Sequence, residues 1–216
     1  MRATEKNAQA GFSLTELLVV VAIILIVGGM SLPSIARVVD NARLKAASQQ
    51  LASLYQQARI RSTQDNTYYE LVSTASGARP AQVCIDLDGD GVCGPAEPQI
   101  ELPSQVTLSN VGVPVALDQT SLGFPAISVE GSVMYNQQDI MVPGLAWNSR
   151  GLPCQRTSTT SPCANLKPSG AVAWMQYLQM QRSVVDVSYA AVSVSPTGHV
   201  RTWSYAPTSS GGGNWF

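Results

Sequence analysis

The chain has a single histidine, His199, and few charges: 13 lysines and arginines against 14 acids in 216 residues, a net charge of −1. A histidine-based catalytic triad therefore has one candidate member and no clear acid partner. Gly131, Gly151 and Gly198 do not combine into a phosphate-binding fingerprint. No internal repeat stands out, which removes repeat architectures. Cysteine is scarce as well. The four residues form two equally spaced pairs, and if all four are bridged no thiol is left for chemistry. The chain reads as structural rather than enzymatic.

One stretch lacks charge almost entirely. Between Phe12 and Ile35 the only ionisable residue is Glu16, and from Leu17 to Leu32 only Gly28, Gly29 and Ser31 interrupt the apolar residues. With Phe12 to Glu16 in front, the segment has about the 20 residues that a bilayer-spanning helix needs. A carboxylate inside such a helix costs roughly 2.5–3.5 kcal/mol at the centre and less near the interface. It is usually there to pair with something. The residues before Gly11 are polar and carry Arg2 and Lys6, which suits a cytoplasmic end. A secretory signal would end in a small-residue cleavage site, and Met30-Ser31-Leu32-Pro33 is a poor match to one.

Gly11-Phe12-Ser13-Leu14-Thr15-Glu16 followed by an apolar helix resembles the class III signal of type IV pilins and type II secretion pseudopilins. The resemblance implies cleavage after Gly11 by a prepilin peptidase and methylation of the new N-terminus at Phe12. It implies that Glu16 pairs with the N-terminal amine of a neighbouring subunit. It further implies an inner-membrane protein, single-pass with its head in the periplasm, that an assembly platform moves into a filament of other pilins or pseudopilins.

Beyond Pro33, Ile35, Val38, Val39, Ala42, Ala46, Ala47, Leu51, Leu54 and Ala58 recur at steps of three and four. This amphipathic stripe predicts that the helix continues to about Thr63, with Pro33 kinking or locally melting it. The expected organisation is a leader (1–11), a transmembrane and assembly helix (12–33), an amphipathic helix (34–63) and a β-rich head (64–216) with a flexible tail (208–216). Predicted strands are Tyr68–Ser73, Gln82–Asp86, Gln99–Leu102, Val106–Asn110, Ile127–Val129, Val133–Asn136, Ala171–Arg182, Val184–Ser195 and His199–Tyr205. Ser195-Pro196-Thr197-Gly198 is a turn signal between the last two. The fold class is α+β: a long N-terminal helix packed on an antiparallel, β-sandwich-like head. Trp147, Trp174, Trp203, Tyr177, Tyr189 and Tyr205 are expected to pack within it rather than to form a ligand platform.

Charge is split along the head. From Ser62 to Asp139 ten acids face one base, Arg79, whereas from Ile140 to Phe216 five bases face Asp186 alone. With the head in an oxidising compartment, disulfides are expected. Three connectivities are open. The local pairs Cys84–Cys93 and Cys154–Cys163 are favoured, each closing a loop of about ten residues worth roughly 2.5–3 kcal/mol of chain entropy.

Two motifs remain. Asp86-Leu87-Asp88-Gly89-Asp90-Gly91, with Glu97 six residues on, matches the calcium-loop pattern D-x-D-x-D-G-x5-E. Alternate carboxylates can converge on one hard cation. The side chains of Asp86, Asp88, Asp90 and Glu97 and the carbonyl of Val92 would be the ligands. Flanking EF-hand helices are absent, so the likeness is confined to the loop. The second motif, Gly198-His199-Val200-Arg201, resembles a late hairpin of the GspH/FimT family of minor pilins and pseudopilins, as do Asp86–Glu97 and Trp147–Leu152. Its DNA-binding branch carries Gly-Arg-x-Arg. Here His199 stands in place of the first arginine, leaving Arg201 as the cation for a phosphate. The resemblance implies a minor pilin, alternatively a minor pseudopilin of type II secretion or a DNA-binding pilin in DNA uptake.

Overall fold

The computed structural model describes residues 13–73, 80–108, 145–155, 163–165, 174–181, 187–207 and 213–216; residues 30–34, 36, 155, 164, 165, 174, 175, 206 and 207 are described by backbone alone. Gly11, Phe12, Asn110 and the expected strands 127–129 and 133–136 lie outside these residues. Among the described residues the order is one helix, α1 (Leu14–Gln64), then eleven strands. The chain divides into two compact units, Met1–Asp40 and Asn41–Phe216.

Local chemistry sets both ends of α1. The Ser13 carbonyl accepts the Leu17 amide at 3.2 Å and its hydroxyl accepts the Glu16 amide at 3.2 Å, so Ser13 is the N-cap. At the other end Asn66 takes a left-handed conformation (φ 51°), and the Thr67 amide reaches back to the Ser62 carbonyl at 3.1 Å. That pairing closes the last turn as a Schellman-type cap. Of the kink or local melting expected at Pro33, the melting is not seen: the backbone is helical through 30–36. Proline removes one amide from the ladder and leaves the rest to hold it.

In the first unit the described apolar side chains, Leu17 to Val21 and Ile23 to Val27 among them, are exposed. A helix that is apolar all round belongs in an apolar environment. Among the described residues no helix is long and apolar enough to cross a membrane.

The second unit is the head. Its first sheet joins β1 (Tyr69–Ser73), β2 (Gln82–Asp86), β3 (Gln99–Glu101), β5 (Leu145–Trp147), β6 (Pro153–Gln155) and β7 (Ala164–Asn165) in the order β3-β2-β1-β5-β6-β7. The second joins β4 (Val106–Leu108), β8 (Trp174–Gln181), β9 (Val187–Val194), β10 (Val200–Pro207) and β11 (Gly213–Trp215) in the order β11-β10-β9-β8-β4. Every pairing is antiparallel. The fold is α+β. One core unites the helix stripe (Leu44, Ala47, Leu51, Leu54, Tyr55, Ala58) with the inner faces of both sheets, including Ile85, Trp147, Leu178 and Val192. Each fully buried leucine of that stripe contributes about 1.5–3 kcal/mol. The disulfides are the local ones, Cys84–Cys93 and Cys154–Cys163.

Alternation along β8, β9 and β10 sends a second set of side chains to the opposite face. There Tyr177, Tyr189, Trp203 and Trp215 are buried together. Trp147, Trp203, Tyr177, Tyr189 and Tyr205 therefore pack, as expected, rather than form an open platform, and the side chain of Trp174 lies outside the described ones. The tail, expected to be flexible over 208–216, ends instead in strand β11. Trp215 lies 5.2 Å from Tyr205 and 5.8 Å from Tyr177, and Phe216 exchanges backbone hydrogen bonds with Ser204.

Arg59 of α1 ties both sheets to the helix. Its Nη1 donates to the Gly198 carbonyl at 2.9 Å, and its guanidinium lies 5.8 Å from the centre of the Trp147 ring. The two turns beside it each need a glycine with positive φ, Gly151 (φ 69°) and Gly198 (φ 84°). A Cβ on Gly198 would come within 2.9 Å of both the Gly151 carbonyl oxygen and the Trp147 ring. Gly198→Ala combines left-handed strain with overpacking and is expected to cost about 2–4 kcal/mol. Chemical denaturation measures this, and an unchanged unfolding midpoint would contradict the close-packed turn.

Candidate functional site

Three places could carry function: the start of α1, the acidic loop between β2 and β3, and the β9–β10 hairpin.

At the start of α1, Ser13 and Glu16 stand at the first and last positions of a capping box, S-x-x-E. Glu16 lies in the first helical turn, where the helix dipole favours a negative charge, and it is exposed. Sequence reasoning singled out Glu16 and passed over Ser13, although the capping-box spacing was legible.

In the acidic loop the Cys84–Cys93 bridge closes the base, with 5.6 Å between the two Cα atoms. Gly89 (φ 80°) and Gly91 (φ 78°) let the backbone curl until its amides face inward. Asp86 is buried and accepts from the amides of Gly89 (2.7 Å) and Gly91 (3.0 Å). Glu97 reaches back across the loop to accept from the amides of Leu87 (2.7 Å) and Gly94 (2.8 Å). One oxygen from each of Asp86, Asp88 and Glu97 lies within 4.8 Å of the others. Asp90 is not in this group; its Oδ1 accepts from the Val92 amide at 2.7 Å. Val92 itself is exposed. The loop borders a cleft of about 300 Å³, lined by Tyr68, Tyr69 and Glu70 on one side and Asp86 and Asp88 on the other.

The donor set is all carboxylate oxygen, which suits a hard divalent cation. A carboxylate oxygen that accepts one amide keeps a lone pair for a metal. Burial holds the Asp86 pKa above its ordinary 3.8; the Gly89 and Gly91 amides oppose this, and the Glu97 charge and the hydrogen bond with Asp88 add to it.

The hairpin motif divides in two. Gly198 is buried at the Arg59 contact, so its conformation is needed for packing. His199 is exposed, and its amide is held by the Ser195 hydroxyl at 2.9 Å. Arg201 is exposed on β10, and its guanidinium stacks 4.5 Å from the centre of the Trp203 ring.

Residues 6–32 match the prokaryotic N-terminal methylation motif. That match supports a type IV pilin-like protein. No curated protein and no solved structure matches the chain. The methylation-motif match stops at Leu32, so it covers the assembly segment and not the head. A pilin-like motif is structural rather than enzymatic; it implies a membrane-anchored precursor and suggests processing by prepilin peptidase and assembly with other pilin subunits.

The raised Asp86 pKa has a definite sign. The folded state favours the protonated acid, so Asp86 adds stability below 3.8 and that contribution is lost as pH rises through the folded value. A carboxyl-carbon NMR titration in chelator should give Asp86 a midpoint above 3.8. A midpoint at or below that value would contradict the burial argument.

Proposed function

We propose that the chain is a minor subunit of a type IV pilus, processed after Gly11 and carried into the filament or its tip by the first half of α1. The observation behind this is the pairing of the methylation motif with a helix whose described apolar side chains, Leu17 to Val27, have no core of their own. The segment would sit in the inner membrane before assembly and among neighbouring helices afterwards. Glu16 would then be the one charge in that environment, compensated by the amine at Phe12 of a neighbour. A large, doubly disulfide-bonded head supports a minor subunit over a shaft-forming one. A pseudopilin of type II secretion and a DNA-binding pilin of the GspH/FimT family would use the same precursor. The DNA reading would rest on exposed His199 and Arg201.

The acidic loop would hold a calcium ion, with Asp86, Asp88 and Glu97 as ligands. Its role would be to fix the loop by neutralising three convergent carboxylates. Asp90, whose Oδ1 accepts from the Val92 amide, stands outside that group.

Glu16→Ala should leave cleavage after Gly11 intact and lower filament incorporation several-fold, read by immunoblot of cell and sheared fractions. Incorporation at the wild-type level would contradict the pairing role. Calcium should raise the melting temperature of the purified protein, and Glu97→Gln should abolish most of that shift. An equal melting temperature with calcium and with chelator would remove the metal.

A further inference from the structure

The acidic loop contains both Asp-Gly bonds of the chain, Asp88-Gly89 and Asp90-Gly91. Such a bond is open to attack by its own backbone, because glycine has no side chain to obstruct the approach. The glycine nitrogen gives its proton to solvent and bonds to the aspartate side-chain carboxyl carbon. One carboxyl oxygen leaves as water, and a succinimide ring results. Water then opens the ring at either carbonyl and restores aspartate or leaves isoaspartate. Isoaspartate routes the main chain through the former side chain, which adds a carbon to the backbone. In this loop it would undo the spacing that brings the carboxylates of Asp86, Asp88 and Glu97 together.

Asp88, Gly89 and Asp90 are exposed, so water reaches the loop. Both attacking nitrogens are nevertheless engaged, and by the same side chain. The Gly89 amide donates to Asp86 Oδ1 at 2.7 Å, and the Gly91 amide donates to Asp86 Oδ2 at 3.0 Å. The two carboxyl groups under threat are also held elsewhere. Asp88 Oδ1 accepts from the Asp90 amide at 3.3 Å, and Asp90 Oδ1 accepts from the Val92 amide at 2.7 Å. Each therefore leans on the amide two residues on, not on the one that would attack it. Asp86 itself is 5% exposed and ends β2, in register with Glu70 of β1. The Cys84–Cys93 bridge closes the loop beneath it.

A proton shared with a carboxylate sits in a strong, charge-assisted hydrogen bond. The same negative charge opposes a second one forming on the nitrogen. Each glycine nitrogen must first leave Asp86, so ring closure follows the fraction of loop that is open.

We propose that Asp86 locks both Asp-Gly bonds of its own loop, and that Asp88 and Asp90 are latent isoaspartate sites that react when the lock opens. This role belongs to the folded loop with or without a cation, and it is separate from the pilin reading.

The test ages the purified full-length chain in heavy-oxygen water with chelator, at neutral pH, and maps its peptides by mass spectrometry in ordinary water. Each passage through the ring replaces one carboxyl oxygen by one from solvent, so both products carry label. Asp88 and Asp90 should label several-fold more slowly in the folded chain than in the same chain reduced and denatured. Asp86→Ala frees both amides and should speed labelling at both sites by about ten-fold, the factor set by losing a hydrogen bond to a charged group. Asp86→Asn keeps one acceptor oxygen and should release one site more than the other. Glu97→Ala strips the acceptor from the Leu87 and Gly94 amides instead, and should leave both sites near the wild-type rate. Melting curves establish that each variant is folded at the ageing temperature; if Asp86→Ala is not, Asp86→Asn decides. Labelling of the folded wild type as fast as that of the denatured chain would overturn the lock. So would slower labelling in Asp86→Asn than in wild type, which would make Asp86 a base for the reaction. Equal acceleration by Glu97→Ala and Asp86→Ala would also overturn it, because general loosening of the loop would then suffice.

Discussion

The head depends on one side of α1 leaving water. Leu44, Ala47, Leu51, Leu54, Tyr55 and Ala58 are buried along a single stripe, and both sheets close over it with residues such as Ile85, Leu145, Leu178 and Val192. Neither sheet has another helix among the described residues to pack on. Removing the stripe would open the core that joins the sheets. Arg59 adds direction to this burial: it hydrogen-bonds the β9–β10 turn and stacks on Trp147 of β5, so helix and both sheets meet at one point. Gly198 is a consequence of that meeting, because a Cβ there would run into the Gly151 carbonyl and the Trp147 ring, while one on Gly151 would press on Thr63 and Arg59 of the helix.

The other half of α1 has the opposite problem. Its apolar side chains face outward, and its polar features gather at the start, where Ser13 caps the helix and Glu16 occupies the first turn. A capped N-terminus with an acid in its first turn is favourable on its own. The same acid in an apolar surrounding needs a cation. Cleavage after Gly11 would create one, since it exposes an amine at Phe12, four residues before Glu16. Processing would then supply the cation, and assembly would bring it to the Glu16 of a neighbour.

The long helix was legible because its two patterns, an unbroken apolar run and then a three-and-four repeat, persist over many residues. The β9–β10 hairpin was legible from Ser195-Pro196-Thr197-Gly198, whose turn forms as expected with the Gly198 amide 2.8 Å from the Ser195 carbonyl. β5, β6 and β7, of two or three residues each, were missed; β6 opens on Pro153, a residue that argues against a strand. β11 was missed because glycines precede it, while the aromatic contacts of Trp215 that hold it come from strands distant in sequence. The Arg59 contact spans 139 residues and leaves no local signal. In the acidic loop the spacing placed Asp86, Asp88 and Glu97 together correctly. It did not anticipate that Asp90 would take the amide two residues on, a local bond open to any aspartate in a turn.

The central claim is that Gly11–Glu16 is a processing and assembly signal rather than a plain anchor. Intact-mass measurement of the chain from cells with and without prepilin peptidase tests it most directly. With the peptidase, the chain should lose Met1–Gly11 and gain one methyl group at Phe12; without it, the full-length mass should remain. A full-length, unmethylated chain in both would contradict the account.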